Sequence, residues 1–124
     1  MGKFNQLLKE ARKHAIVVIT AIPPNDYIAC YSPKTNVIFL KEGESPKETL
    51  YCLAHELGHA VYKHSSRTVE QNIKEERQAI IYSIRLAKQY NFYSKHFKNV
   101  IKRQRYVIKT KWYSNWLKEV WGYK

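Results

Sequence analysis

His55 and His59 stand four residues apart, with Glu56 directly after the first, in the run HELGH. On an α-helix of about 3.6 residues per turn, positions i and i+4 project from one face, so both imidazoles can reach a single cation. Glu56 is rotated about 100° from His55. It therefore meets a water beside that cation rather than the cation itself, where a general base belongs. Zinc suits such a site. Imidazole and carboxylate are among its ordinary ligands, it keeps an open position when three protein groups hold it, and it lowers the pKa of coordinated water to about 7. The chemistry indicated is peptide-bond hydrolysis, with Glu56 taking the proton of the attacking water.

A catalytic zinc needs a third protein ligand, and Glu70, Glu75 and Glu76 are the acidic candidates downstream. Glu76 follows His59 by enough chain for one more helical turn, a short loop and an antiparallel return. It shares a helical stripe with Val69, Ile73 and Ile80 and so points inward, whereas Glu75 lies about 100° around the helix and faces solvent. Glu76 is the preferred ligand. His64 comes five residues after His59, not the six of the three-histidine metzincin pattern, and reads as a satisfied or surface histidine.

The elements that must position these groups are legible on both sides. Phe4, Leu7, Leu8 and Ala11 give an amphipathic opening helix over 3–14. Residues 16–22 are β-branched and stop at Pro23, Pro24, Asn25 and Asp26, so they form a first strand. Two short β-prone segments, 27–31 and 36–41, flank a hairpin loop over 32–35. Ser45, Pro46 and Glu48 then open the helix that carries the motif, with Leu50, Leu53, Leu57 and Val61 as its apolar stripe, ending near His64. Thr68 and Gln71 make a second capping box for a helix running to about Tyr90, packed through Ile73, Ile80, Ile81, Ile84 and Leu86. One or two further helices follow, with 106–110 able to form a strand instead. The expected fold class is α+β and zincin-like: an N-terminal helix, a small three-stranded sheet, an active-site helix, a ligand helix and C-terminal helices.

At 124 residues the chain has room for a single domain over 1–124 and one active site. Cys30 and Cys52 lack the close spacing of thiolate zinc or redox motifs and read as two buried thiols in a reducing compartment. The longest apolar stretch, 15–22, is too short to span a membrane, and no cleavable leader is visible, so a cytoplasmic location is expected.

The run Cys52–His59, the trailing His64, and Glu76, Arg77, Gln78 and Ala79 followed by Tyr82 resemble the ImmA/IrrE family of metallopeptidases. The resemblance covers roughly residues 27–86 and maps the family's acidic third ligand onto Glu76. It implies a protein substrate, a helix-turn-helix repressor of a phage or mobile element. Two departures stand out: Ile80 occupies a position where the family commonly has Asp or Asn, and no Leu-Leu-x-Pro-like segment follows Arg85. If that polar residue orients a ligand histidine, this site lacks the support or draws it from elsewhere. In peptidases of this plan an extended substrate can lie along an edge strand beside the metal helix, and 36–41 is the candidate edge.

The net charge of +12 is concentrated at 91–124, a basic, aromatic helical extension with nine Lys/Arg against Glu119 alone. Lys95, Lys98, Lys102, Arg103, Arg105, Lys109 and Lys111 lie among Tyr93, Phe97, Tyr106, Trp112 and Tyr113, a mixture able to hold phosphates and stack on bases. The simpler reading is a solvated basic face over an aromatic core, because Trp112, Trp116 and Val120 recur at helical spacing and such stripes usually pack inward. The alternative function is thus a nucleic-acid-binding or protein-interaction regulator whose zinc site is structural or vestigial.

Overall fold

The computed structural model describes residues 2–21 and 29–124. Five helices and three strands run in the order α1 (Lys3–Lys13), β1 (Val17–Ala21), β2 (Ala29–Ser32), β3 (Val37–Lys41), α2 (Pro46–Val61), α3 (Val69–Gln89), α4 (Lys95–Val107) and α5 (Lys111–Trp121). The fold is α+β, as expected. The Pro23–Asp26 turn and the start of the expected second strand, at 27–28, lie outside the described residues.

Strand order overturns one expectation. The sheet runs β1-β3-β2, with β3 parallel to β1 and antiparallel to β2. The segment 36–41 is therefore central, its backbone groups engaged on both sides, and offers no edge to a substrate. Its alternating pattern reflects that place: Ile38 and Leu40 are buried on one face. The edge strand that packs against α2 is β2. The β2–β3 hairpin turns where expected, with Asn36 left-handed at φ 56° and its amide donating to the Ala15 carbonyl at 2.9 Å.

Local capping sets both central helices. Ser45 Oγ accepts from Glu48 N at 3.2 Å, and Pro46 occupies the first turn of α2, where no amide is needed. Thr68 Oγ1 accepts from Gln71 N at 3.1 Å, while the Gln71 side chain reaches back to Arg67 N at 3.2 Å, one residue before the cap.

The core gathers around α2, which packs against α3, β2, β3, α1 and α4. Leu53 and Leu57 are fully buried with Leu7, Ile38, Ile80 and Leu86. Ile81, expected to pack, is 63% exposed, because it lies on the solvent side of a helix whose inner stripe is Ala79, Tyr82, Ser83 and Leu86. Where α2 meets α3 there is no room for a side chain: a Cβ on Gly58 would stand 2.8 Å from Ala79 Cα and 2.9 Å from its carbonyl oxygen. That contact lets the two helix backbones approach, and it is why the residues facing each other are glycine and alanine. Glu10, buried on α1, accepts from the Tyr90 hydroxyl and ties the first helix to the end of α3.

The expected helical tail is two helices, and 106–110 is not a strand. In α5 the inward residue is Leu117, 2% exposed, with Tyr113 one turn earlier partly buried. Trp112 and Val120 are 65% and 61% exposed. The expectation that the Trp112, Trp116 and Val120 stripe packs inward is thus wrong by one helical position, about 100° of phase. No helix among the described residues is long and apolar enough to cross a membrane.

Candidate metal centre

His55 and His59 lie on the inner face of α2, and α3 returns antiparallel to bring Glu76 over them. The two Nε2 atoms are 3.1 Å apart. Glu76 bridges both rings, with Oε2 2.9 Å from His55 Nε2 and Oε1 3.2 Å from His59 Nε2. One donor atom from each of the three residues falls within 4.8 Å of the other two.

Three Lewis bases aimed at one point repel unless a proton or cation lies among them, and in the metal-free chain a proton serves. Burial works against a charged ring at His59, but the hydrogen-bonded Glu76 carboxylate outweighs it and holds the His59 pKa at about 9. Burial likewise opposes the charge on Glu76, and the two imidazoles outweigh it, keeping that carboxyl well below the usual carboxylate range. Two imidazole nitrogens and a carboxylate oxygen, converging and already paired with positive charge, are a donor set that fits a divalent transition metal.

Residues 11–123 match the family model of the IrrE N-terminal-like domain, Peptidase_M78. The chain belongs to the M78 peptidase family. That membership carries a metallopeptidase-type activity, and the converging triad is where this chain could hold its metal. No curated protein and no solved structure matches it.

Within this M78 chain, Glu56 stands apart from the triad. It is half-buried on α2, lines the same groove as His59 and Glu76, and accepts no hydrogen bond among the described residues. Burial raises its pKa, and the nearby Glu76 charge adds to the rise while His59 and His55 oppose it. A carboxylate left without partners and made more basic by its surroundings is suited to take up a proton. The two thiols are poor alternatives as nucleophiles. Burial pushes Cys52 up to about 12 and raises Cys30 as well, and both are free.

Glu75 neither joins the triad nor faces solvent: its carboxylate accepts from Ser66 N at 3.2 Å and pins the α2–α3 loop. His64 is buried and satisfied, but it touches the site. Its Nδ1 is 2.9 Å from His59 Nδ1, and its Nε2 is 2.7 Å from Gln78 Oε1. The support that Ile80 cannot give is thus present at His59, while His55 Nδ1 is buried with no partner among the described residues. The spacing of five after His59 was the available signal for His64, but reading it required knowing how α2 ends.

A groove of about 950 Å³ opens beside His59 and Glu76 of the triad. Ala29, Cys30, Tyr31 and Lys34, from β2 and its turn, form one wall. The other is built by α4 and α5 through Val107, Ile108, Tyr113, Trp116 and Trp121. The C-terminal residues hold that wall in place: Tyr113 Oη donates to Asn72 Oδ1 at 2.5 Å, and Val69 N donates to the Lys124 carbonyl at 3.0 Å.

Proposed function

We propose that the chain is a zinc-dependent endopeptidase that cuts a regulatory protein, in keeping with its resemblance to the ImmA/IrrE peptidases a helix-turn-helix repressor of a phage or mobile element. The convergence of His55 Nε2, His59 Nε2 and Glu76 within 4.8 Å carries this reading. These three residues hold the metal. Bound zinc supplies a Lewis acid that polarises a peptide carbonyl and acidifies water. Glu56 accepts the proton of the attacking water and returns it to the leaving amine, a task matched to its raised pKa and unpaired carboxylate. Among the described residues β2 pairs only with β3, so an extended substrate segment can add to its free edge, with α4 and α5 closing over its other side. The two unpaired thiols are in keeping with action in the cytoplasm.

Metal analysis of purified chain and cleavage of a repressor encoded beside it test this together. One zinc per chain is expected, with Glu56→Gln keeping the metal and losing about 10²–10⁴-fold in cleavage rate. A chain that takes up no zinc, or a Glu56→Gln variant that cleaves as fast as wild type, refutes it.

A second role, contact with nucleic acid, is supported by the outer face of α4. There Lys98, Lys102, Arg105 and Lys109 line a shallow depression with Tyr93 and Tyr106, away from the triad. Binding of duplex DNA that weakens steeply between 50 and 200 mM salt, on the order of tenfold or more, is the expected signature. Binding that is absent or indifferent to salt removes this role.

A further inference from the structure

We propose that His64 and Gln78 form a positioning relay that presents His59 to the metal through Nε2. The proposal rests on the metal-centre reading above. A neutral imidazole has one N–H and one lone pair, so each hydrogen bond in a chain of rings fixes the next. The Gln78 oxygen can only accept, so the 2.7 Å contact makes His64 Nε2 the donor. His64 Nδ1 is then the acceptor, and across 2.9 Å it takes the hydrogen of His59 Nδ1. With Nδ1 committed as a donor, the nitrogen of His59 that a metal can take, once its proton is displaced, is Nε2, the atom that faces His55 Nε2 and Glu76 Oε1. Were the Gln78 amide nitrogen turned to His64 instead, every bond would reverse and His59 Nε2 would carry a hydrogen where the metal needs a lone pair.

The end of α2 places His64 for this role. After Val61 the chain passes through Tyr62 to Lys63, which is left-handed at φ 53°, and His64 N bonds back to the His59 carbonyl at 2.9 Å. This six-to-one closure is the helix-ending motif that usually takes glycine at the left-handed position. It returns the chain so that a ring five residues on lies beside His59, with centroids 5.1 Å apart. Tyr62 stacks on the His64 ring at 5.7 Å and limits its rotation. Since α3 supplies both Glu76 and Gln78, one helix fixes the ligand on one side of His59 and the acceptor on the other.

Two measurements on the full chain test the relay. In metal-free protein, nitrogen-detected NMR is expected to find the His64 hydrogen on Nε2; a hydrogen on Nδ1 overturns the proposal. By chelator competition, His64→Phe, which keeps a ring but has no acceptor, should weaken zinc binding by about 10–100-fold. Gln78→Lys, which offers only a donor, should weaken it too, while Gln78→Glu, which keeps an acceptor, stays near wild type. A merely space-filling role predicts the reverse pattern, with His64→Phe within twofold of wild type, and that result also overturns it. Thermal melting of each metal-free variant separates loss of the relay from loss of fold. If wild-type chain binds no zinc the metal-centre reading fails, and the NMR result still decides the relay.

Discussion

The α2–α3 pair and the α4–α5 pair differ in what holds them. Between α2 and α3 the backbones touch at Gly58 and Ala79, and the polar groups above that contact hold one another: Glu76 both histidines, Gln78 His64, and His64 His59. The α4–α5 pair is anchored by a short set of apolar residues, Phe97, Val100, Ile101, Ile108 and Leu117, and leaves Tyr106, Trp112, Val120 and its lysines exposed. The difference teaches that this chain invests its geometric precision where three groups able to hold a metal converge and uses the basic extension as a surface and a groove wall. Substitutions in the first pair should therefore act through position, and those in the second through charge or contact area.

The largest contrast is between adjacent glutamates. Glu76→Gln removes a carboxylate from the triad and should reduce zinc affinity by more than the roughly 10–100-fold typical of groups that only orient ligands. Glu75→Gln, which touches the loop amide of Ser66, should leave affinity within a few-fold. Competition titration decides it, and a larger loss at Glu75 would break the assignment of ligand and loop pin.

Proton competition should be nearly as large. His59 has a raised pKa of about 9 in the metal-free chain, so at neutral pH the incoming metal must displace its proton. Apparent zinc affinity is expected to climb by about tenfold per pH unit between pH 7 and 9 and then level off. A flat profile across that range would mean that Glu76 does not hold the proton on His59.

Gly58→Ala probes the backbone contact itself. The added methyl meets Ala79 backbone atoms that cannot swing aside, so the helices must separate, at a cost of about 1–3 kcal/mol in denaturant unfolding. Zinc binding should weaken in step, because Glu76 moves with α3. Unchanged stability would show that the two helices are not locked here.

The smallest effect sharpens the other half of the comparison. Lys102→Glu on the outer face of α4 should change folding stability by no more than about 0.5 kcal/mol and leave cleavage of a short peptide unaltered. The same substitution should lower the salt slope of DNA binding by about one. A peptidase defect in this variant would show that the basic face and the groove act together.

Much of the site was legible because helix periodicity is a local property. The spacing of His55 and His59, the caps at Ser45 and Thr68, and the phase that favours Glu76 over Glu75 all follow from 3.6-residue geometry over a few turns. The same logic failed at α5, where Trp112, Trp116 and Val120 share a stripe but Leu117 faces the core. Composition shows that an amphipathic stripe exists; the helix it meets decides which stripe is buried.

The sequence by itself determined the chemistry: two imidazoles one turn apart, a carboxylate beside them and another on a separately capped helix. The tertiary structure decided the surroundings. It put β3 between β1 and β2, because strand order depends on partners distant in sequence. It turned His64 back onto His59 through a left-handed Lys63, and it brought α4 and α5 across the groove from β2. Spacing along a helix is set by hydrogen bonds four residues apart. Which surfaces face one another is set by packing across the whole chain, and in this fold that packing converts a pair of histidines into a centre with walls.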